Sequence, residues 1–197
     1  DCSLLIAADG RDSSIRTQAG VAVKYTDFGQ SALSFSVTHE VPHNNISTEV
    51  HKAGGPFTLV PLPDFEGKPC SAIVWMDNTE NMDKLKSLPD TVFDNLITER
   101  SGGVLGKLTS ITNCTKWPIV SQLTDYFYAE RTAFIAESAH VVPPIGAQGL
   151  NLSIGDIEAL LQLTDSSAND IGSLKVLKKY HQIRRPIAQS RVIGVGL

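Results

Sequence analysis

AESAHVVPPIGAQGLN, residues 136–151, is the stretch that decides how this chain folds. It holds two adjacent prolines, Pro143 and Pro144, two glycines, Gly146 and Gly149, one acid, Glu137, and one histidine, His140. The apolar run TAFIAE (132–137) leads into it and reads as a strand. Behind it, Leu150, Ile154, Ile157, Leu160 and Leu161 recur at the spacing of one helical face. Rigid, side-chain-poor backbone between a strand and a helix is poor core material. It suits a place where the main chain must come close to something else. A helix starting near Gly149–Asn151 aims the positive end of its dipole at that place, which favours an anionic ring edge. Glu137, at the strand's end, can accept hydrogen bonds from hydroxyls. His140 reads as a packed or capping histidine rather than a proton carrier.

A second stretch, ADGRDSSIR (8–16), has related features. SLLIAA (3–8) before it is a short continuous apolar run, as in a parallel strand covered on both faces. Asp9 and Gly10 turn the chain, and Ser13 caps a short helix over 14–19 that Gly20 closes. Gly10 permits close backbone approach. Asp9 can accept from sugar hydroxyls or fix the loop, while Arg11 and Arg16 can face phosphates.

Between these ends the pattern changes. SALSFSVTHEV (31–41) alternates, with Leu33, Phe35 and Val37 on one face. FTLVPL (57–62) and SAIVWM (71–76) are further strands joined by the turn-rich PDFEGKP (63–69). This predicts an antiparallel sheet with one face on a core. TENMDKLKSL (79–88) and TVFDNLITER (91–100) read as amphipathic helices, and residues 116–137 return to strands. A last helix over 172–193 is kinked or stopped near Pro186. The fold class is therefore α/β with α+β character. The two ends form one unit, residues 1–27 and 125–197, interrupted by a sheet domain over 28–124.

The 197 residues can bury one sizeable core or two small ones. A net charge of -4 gives no footprint for nucleic acid. No apolar run is long enough to cross a bilayer, and the first residues lack a basic leader. The three cysteines, Cys2, Cys70 and Cys114, form no CxxC and read as reduced thiols of a cytoplasmic protein. The three Asn-x-Ser/Thr matches, at Asn45, Asn113 and Asn151, read as chance in a chain without a signal peptide. HEVPH (39–43) matches a zinc-protease pattern, but Pro42 forbids the required helix, so no metal site is expected and these read as exposed histidines at a strand end. SGGVLG (101–106) and GVG (194–196) read as loop or helix-end glycines. Lys178, Lys179, Arg184 and Arg185 form a basic run that is either a solvated face or a docking surface for acidic partners or lipid headgroups. The chain opens inside a strand pattern and closes in mid-pattern, as expected of a fragment.

ADGRDSSIR and AESAHVVPPIGAQGLNLSIGDIEAL together resemble the two flavin motifs of the group A flavin-dependent aromatic hydroxylases, the para-hydroxybenzoate hydroxylase-like family. PPIGAQGLNL, GGPFTLVPLPD and AIVWMDN are most similar to the hydroxylases of ubiquinone biosynthesis. The resemblance covers nearly the whole chain. It implies a Rossmann-like FAD-binding domain interrupted by a β-sheet substrate domain. The implied chemistry uses reduced FAD, NAD(P)H and oxygen to hydroxylate an aromatic ring, a polyprenylated phenol being the substrate it favours. Such a substrate implies contact with a biosynthetic complex or with the inner membrane surface. The implied cofactor residues are Asp9, Gly10, Arg11, Glu137, Pro144, Gly146, Gly149, Leu150 and Asn151. No residue is implied as a protein acid or base. Substrate would meet the sheet around Val50–Pro61 and Ile73–Trp75. The alternatives are a non-catalytic truncated domain or interaction module, and a hydroxylase of a small soluble aromatic.

Three departures stand out: Ala7 where the family has glycine, Ala136-Glu137 for Gly-Asp, and Gly155 where relatives often carry arginine. The family's strand–GxGxxG–helix, which cradles the FAD pyrophosphate, is absent from these 197 residues. The chain by itself is therefore expected to bind FAD poorly or not at all.

Overall fold

A computed structural model describes residues 2–144, 148–166 and 170–195. In chain order the first elements are β1 (Leu5–Ala7), α1 (Ser14–Gln18), β2 (Val23–His39), β3 (Thr48–Lys52), β4 (Gly55–Phe65) and β5 (Lys68–Asn78). Next come α2 (Thr79–Lys86), α3 (Asp90–Arg100), β6 (Leu108–Ser110), β7 (Thr115–Thr124), β8 (Tyr128–Ala129) and β9 (Thr132–Phe134). A 3-10 turn (Ala136–Ser138), β10 (His140–Val141), α4 (Gln148–Asp165) and α5 (Leu174–Val195) complete the chain. The chain divides into two compact units, Asp1–Asp27 with Val120–Leu197, and Phe28–Ile119. The division at 119/120 falls inside β7, whereas the sequence suggests one at the strand's end, 124/125.

The middle unit is built on the alternation of β2. Leu33 and Phe35 pair with Trp75 and Ile73 of β5, which pair in turn with Phe57 and Leu59 of β4, all antiparallel. Period-two spacing therefore stacks six large side chains on one face. Met82 of α2 and Phe93 and Ile97 of α3 close the core over them, with the Phe35 and Phe93 rings 5.1 Å apart. Asn78 caps α2 by accepting from the Asn81 N–H at 2.8 Å. The connection between β4 and β5 is tighter than PDFEGKP suggests. The strands run on to Phe65 and Lys68, leaving Glu66 and Gly67, both at positive φ (50° and 75°), as the two-residue primed turn. Pro63 is absorbed by an irregular register between Leu62 and Phe65.

In the unit of the chain ends, β1 runs parallel to β9, and β8 pairs with β9 antiparallel. Ala7, Phe127, Ala133 and Phe134 form a core with Leu160 and Leu163 of α4 and Leu177 and Tyr180 of α5. The Tyr180 hydroxyl donates to the Phe134 carbonyl at 2.9 Å. Burial, then the negative charge of Asp156, pushes this phenol far above its ordinary pKa. Pro186 lies inside α5, which runs through it to Val195 rather than stopping there.

Three expectations are corrected in this unit. β1 is not covered on both faces: the successive residues Leu5 and Ile6, which point to opposite faces, are 39% and 50% exposed. The outward stripe of α4 is Leu150, Ile154, Ile157 and Leu161, all exposed, and only Leu160 of the expected apolar set is buried. The inward face is instead Leu152, Asp156, Ala159, Leu160 and Leu163. The basic run is split by burial: Lys178 and Lys179 are exposed, Arg184 is buried, and Arg185 is half-buried with its Nε donating to the Thr124 carbonyl.

In the middle unit the HEVPH histidines are not both exposed. His39 ends β2, is buried, and contacts the Val41 carbonyl and Ser71 Oγ through its two ring nitrogens. The three thiols are free.

Candidate flavin site

The parallel pairing of β1 and β9 aligns Ala7 with Phe134, so both strands end side by side. Ligands of open α/β sheets sit beyond the carboxyl ends of such strands. Asp9-Gly10-Arg11 comes just after β1, and the turn carrying Glu137 comes just after β9. The two motifs are thereby brought together. Arg11 donates from Nε and Nη2 to the two oxygens of Glu137, each at 3.3 Å. Both side chains remain partly exposed, 29% for Arg11 and 50% for Glu137. This is a two-point pair at the long end of hydrogen-bond range, open to solvent on one side.

Asp9 is occupied locally. Its carboxylate accepts from Ser13 Oγ at 2.5 Å and from the Ile15 N–H at 3.2 Å, so it secures the start of α1. Burial works to raise its pKa, but these hydrogen bonds outweigh that and hold it below the ordinary aspartate value. Gly10 has φ +87°, and a Cβ there would meet nothing within 4 Å, so the space before this turn is open. Arg16 does not face a ligand. It is buried and braces the two motifs, donating to the carbonyls of Ser138 and Arg11 at 2.9 Å each.

Ser138 completes the brace, with Oγ 2.7 Å from the carbonyls of Ala7 and Ile135. Ala136 sits at φ +53°, a conformation that costs a non-glycine residue about 1–2 kcal/mol. Its N–H is held by Asp156 Oδ2 at 3.0 Å. The same carboxylate accepts from His140 Nε2 at 2.7 Å and, through Oδ1, from Arg184 Nε at 2.8 Å. Arg184 Nη2 also donates to the Leu152 carbonyl at 2.9 Å. Asp156 is fully buried, and the His140 and Arg184 side chains are 2% and 10% exposed. His140 is thus a packed, hydrogen-bonded histidine, as its neighbours in sequence suggest. Asp156 and Arg184 are absent from the sequence-level site. The signal that could reveal Asp156 is an acid with apolar residues three and four positions away on a helix, at Leu152, Ala159 and Leu160.

Pro144 is exposed after the buried Pro143, and Gly146 lies outside the described residues. Gly149, Leu150 and Asn151 occupy the first turn of α4 and all three are exposed, Leu150 at 70%. A Cβ on Gly149 would meet only Val142 Cγ2, at 3.8 Å. This is the first turn of an 18-residue helix, whose N–H groups have no partner within the helix itself. These residues fit the flat ring end and hydroxylated chain of FAD. The 197 residues contain no GxGxxG for its pyrophosphate. Among the described residues there is no cluster of three His, Cys, Asp or Glu suited to a metal, and no helix long and apolar enough to cross a membrane.

A family model described as an FAD binding domain matches residues 1–193. The chain belongs to this family. FAD is accordingly the cofactor its residues are to be read against. Among relatives of the FAD-binding family, an uncharacterized protein of Synechocystis is 34% identical over 186 residues, covering 93% of this chain and 44% of that protein. The ubiquinone hydroxylase UbiL of Rhodospirillum rubrum is 27% identical, covering 93% of this chain and 42% of its own length. The 3-demethoxyubiquinol 3-hydroxylase of Escherichia coli is 26% identical, with 98% and 49% covered. The chain therefore spans about half the length of the curated relatives it matches. The crystal structure of Pseudomonas aeruginosa PqsL with 2-aminobenzoylacetate superposes with a TM-score of 0.78 at 21% identity, covering 98% of this chain and 54% of that one. That likeness establishes a shared fold.

Proposed function

We propose that this chain is the body of an FAD- and NAD(P)H-dependent monooxygenase that hydroxylates an aromatic ring, with a polyprenylated phenol of ubiquinone biosynthesis as its substrate. The observation that carries the reading is the meeting of Arg11 and Glu137 beyond the parallel strand ends. Relatives named as ubiquinone hydroxylases support the substrate class.

In this reading, Glu137 accepts from hydroxyls of the cofactor chain and Arg11 swings from Glu137 toward a phosphate. Asp9 keeps the Gly10 turn in shape, and Gly10 leaves room for the cofactor to pass. Pro144, Gly146, Gly149, Leu150 and Asn151 present backbone to the ring edge, where the α4 dipole favours negative charge. Bound flavin would supply the redox chemistry, accepting hydride from the nicotinamide and activating oxygen. Aromatic substrate would lie against the middle unit's second sheet face, which carries Thr58, Val60 and Val74, since Phe57, Leu59, Ile73 and Trp75 are committed to the core. A prenyl tail would bring a cytoplasmic protein to the inner membrane surface, and of the basic run only Lys178 and Lys179 are fully exposed to meet it.

The test is the visible absorption spectrum of the complete gene product purified beside this chain. A yellow complete protein and a colourless 197-residue chain are expected. If both stay colourless with added FAD, the second reading holds, a non-catalytic interaction module.

A further inference from the structure

Asp156 lies 20 residues beyond Ala136, yet its carboxylate holds both the turn that presents Glu137 and the histidine that leads into Pro143. Arg184, from α5, closes this arrangement by donating to Asp156 and to the Leu152 carbonyl in the second turn of α4. Its guanidinium lies close over Gly155. A Cβ there would stand 2.8–3.0 Å from its Nη2, Nη1 and Cζ atoms, so a larger residue requires the guanidinium to shift away from the bonds to Asp156 and Leu152 that hold it. Glycine inside a helix is unfavourable relative to alanine, so its presence here needs a reason. The guanidinium over its Cα supplies one, and it comes from 29 residues along the chain rather than from position 155 itself.

We propose that Arg184 is a positioning residue for the turn at Ala136–Ser138 and for the first turns of α4, acting through Asp156, and that Gly155 is the space it requires. The part of this that concerns flavin rests on the function proposed above. One buried guanidinium fixes both the Ala136 N–H and the first turns of α4. Ala136, at positive φ, keeps its conformation only while its surroundings over-determine it. Removing Arg184 leaves Asp156 to share its charge with His140 and the Ala136 N–H alone.

The experiment is a double-mutant cycle on Gly155→Ala and Arg184→Ala, read by amide exchange at Ala136 and by melting temperature. In an ordinary helix interior Gly→Ala raises the melting temperature. Here Gly155→Ala should lower it and speed Ala136 exchange by on the order of ten- to a hundredfold, the loss of one charge-assisted hydrogen bond. In the Arg184→Ala background the same substitution should raise the melting temperature. If Arg184→Ala does not fold, the sign for Gly155→Ala alone decides. In the complete polypeptide, Gly155→Ala should weaken FAD binding about tenfold, as removal of a supporting residue behind a ligand does. A higher melting temperature with unchanged Ala136 exchange in the single variant overturns the proposal. Failure of the unsubstituted protein to take up flavin would sink the function reading instead, and the exchange result would still judge Arg184.

Discussion

The two faces of α4 carry similar amounts of apolar surface and meet opposite ends. Leu150, Ile154, Ile157 and Leu161 stand in solvent, while Leu152, Ala159, Leu160 and Leu163 are buried around a charged residue, Asp156. Hydropathy favours the wrong face, because an aspartate in the middle of a stripe counts against it. Burial of that aspartate is tolerable only because three donors converge on it: His140, Arg184 and the Ala136 N–H. A polar anchor, not the amount of apolar surface, thus sets which way the helix turns. The exposed Arg11–Glu137 pair makes the same contrast with Asp156 in another way. It is longer and open, and so suited to exchange its partner for a ligand, whereas the Asp156 network is closed.

The strongest test of this contrast is Asp156→Ala. It leaves Arg184 and His140 buried without their carboxylate and should cost about 3–5 kcal/mol in urea unfolding. A cost below ~1 kcal/mol would mean the network anchors nothing. Next is the comparison of Leu160→Ala with Leu161→Gln on opposite faces of the same helix. The first should cost about 2–4 kcal/mol through the cavity it leaves, the second no more than about 0.5 kcal/mol. Equal costs would show that the outer stripe is covered in the protein measured. Tyr180→Phe should cost about 1 kcal/mol, since its hydroxyl bond to Phe134 is buried.

The smallest effect lies at Asp9. Its pKa in the fold is lower than in the unfolded chain, so it adds stability at pH above the ordinary aspartate value. That contribution is lost as pH falls through the lowered folded value. Stability measured across this acid range should fall less steeply for Asp9→Asn than for the unsubstituted chain. Parallel curves would show that the Ser13 and Ile15 hydrogen bonds do not favour the ionised form.

Much of the fold is legible in the sequence where a local rule suffices. Leu33, Phe35 and Val37 alternate and do share the buried face of β2, because period two is fixed by the pleat. Ser13 and Gly20 bound α1 as their cap chemistry requires: Ser13 Oγ accepts from the Arg16 N–H, and Gly20 takes φ +67°. The two motifs at residues 8–16 and 136–151 resemble one family's pair of motifs in spelling, and Arg11 and Glu137 do meet. Other features depend on partners far away in the chain. Arg16 and Arg184 read as surface cations and are buried braces, since the carbonyls and carboxylate that desolvate them lie 122 and 28 residues away. Gly155 reads as a weak helix position until the guanidinium above it is seen. The sequence by itself determined the alternating strands of the middle unit and the ends of α1, because periodicity and cap chemistry act over a few residues. Only the tertiary structure decided which face of α4 goes inward and which charges are buried, because those depend on hydrogen bonds between distant segments.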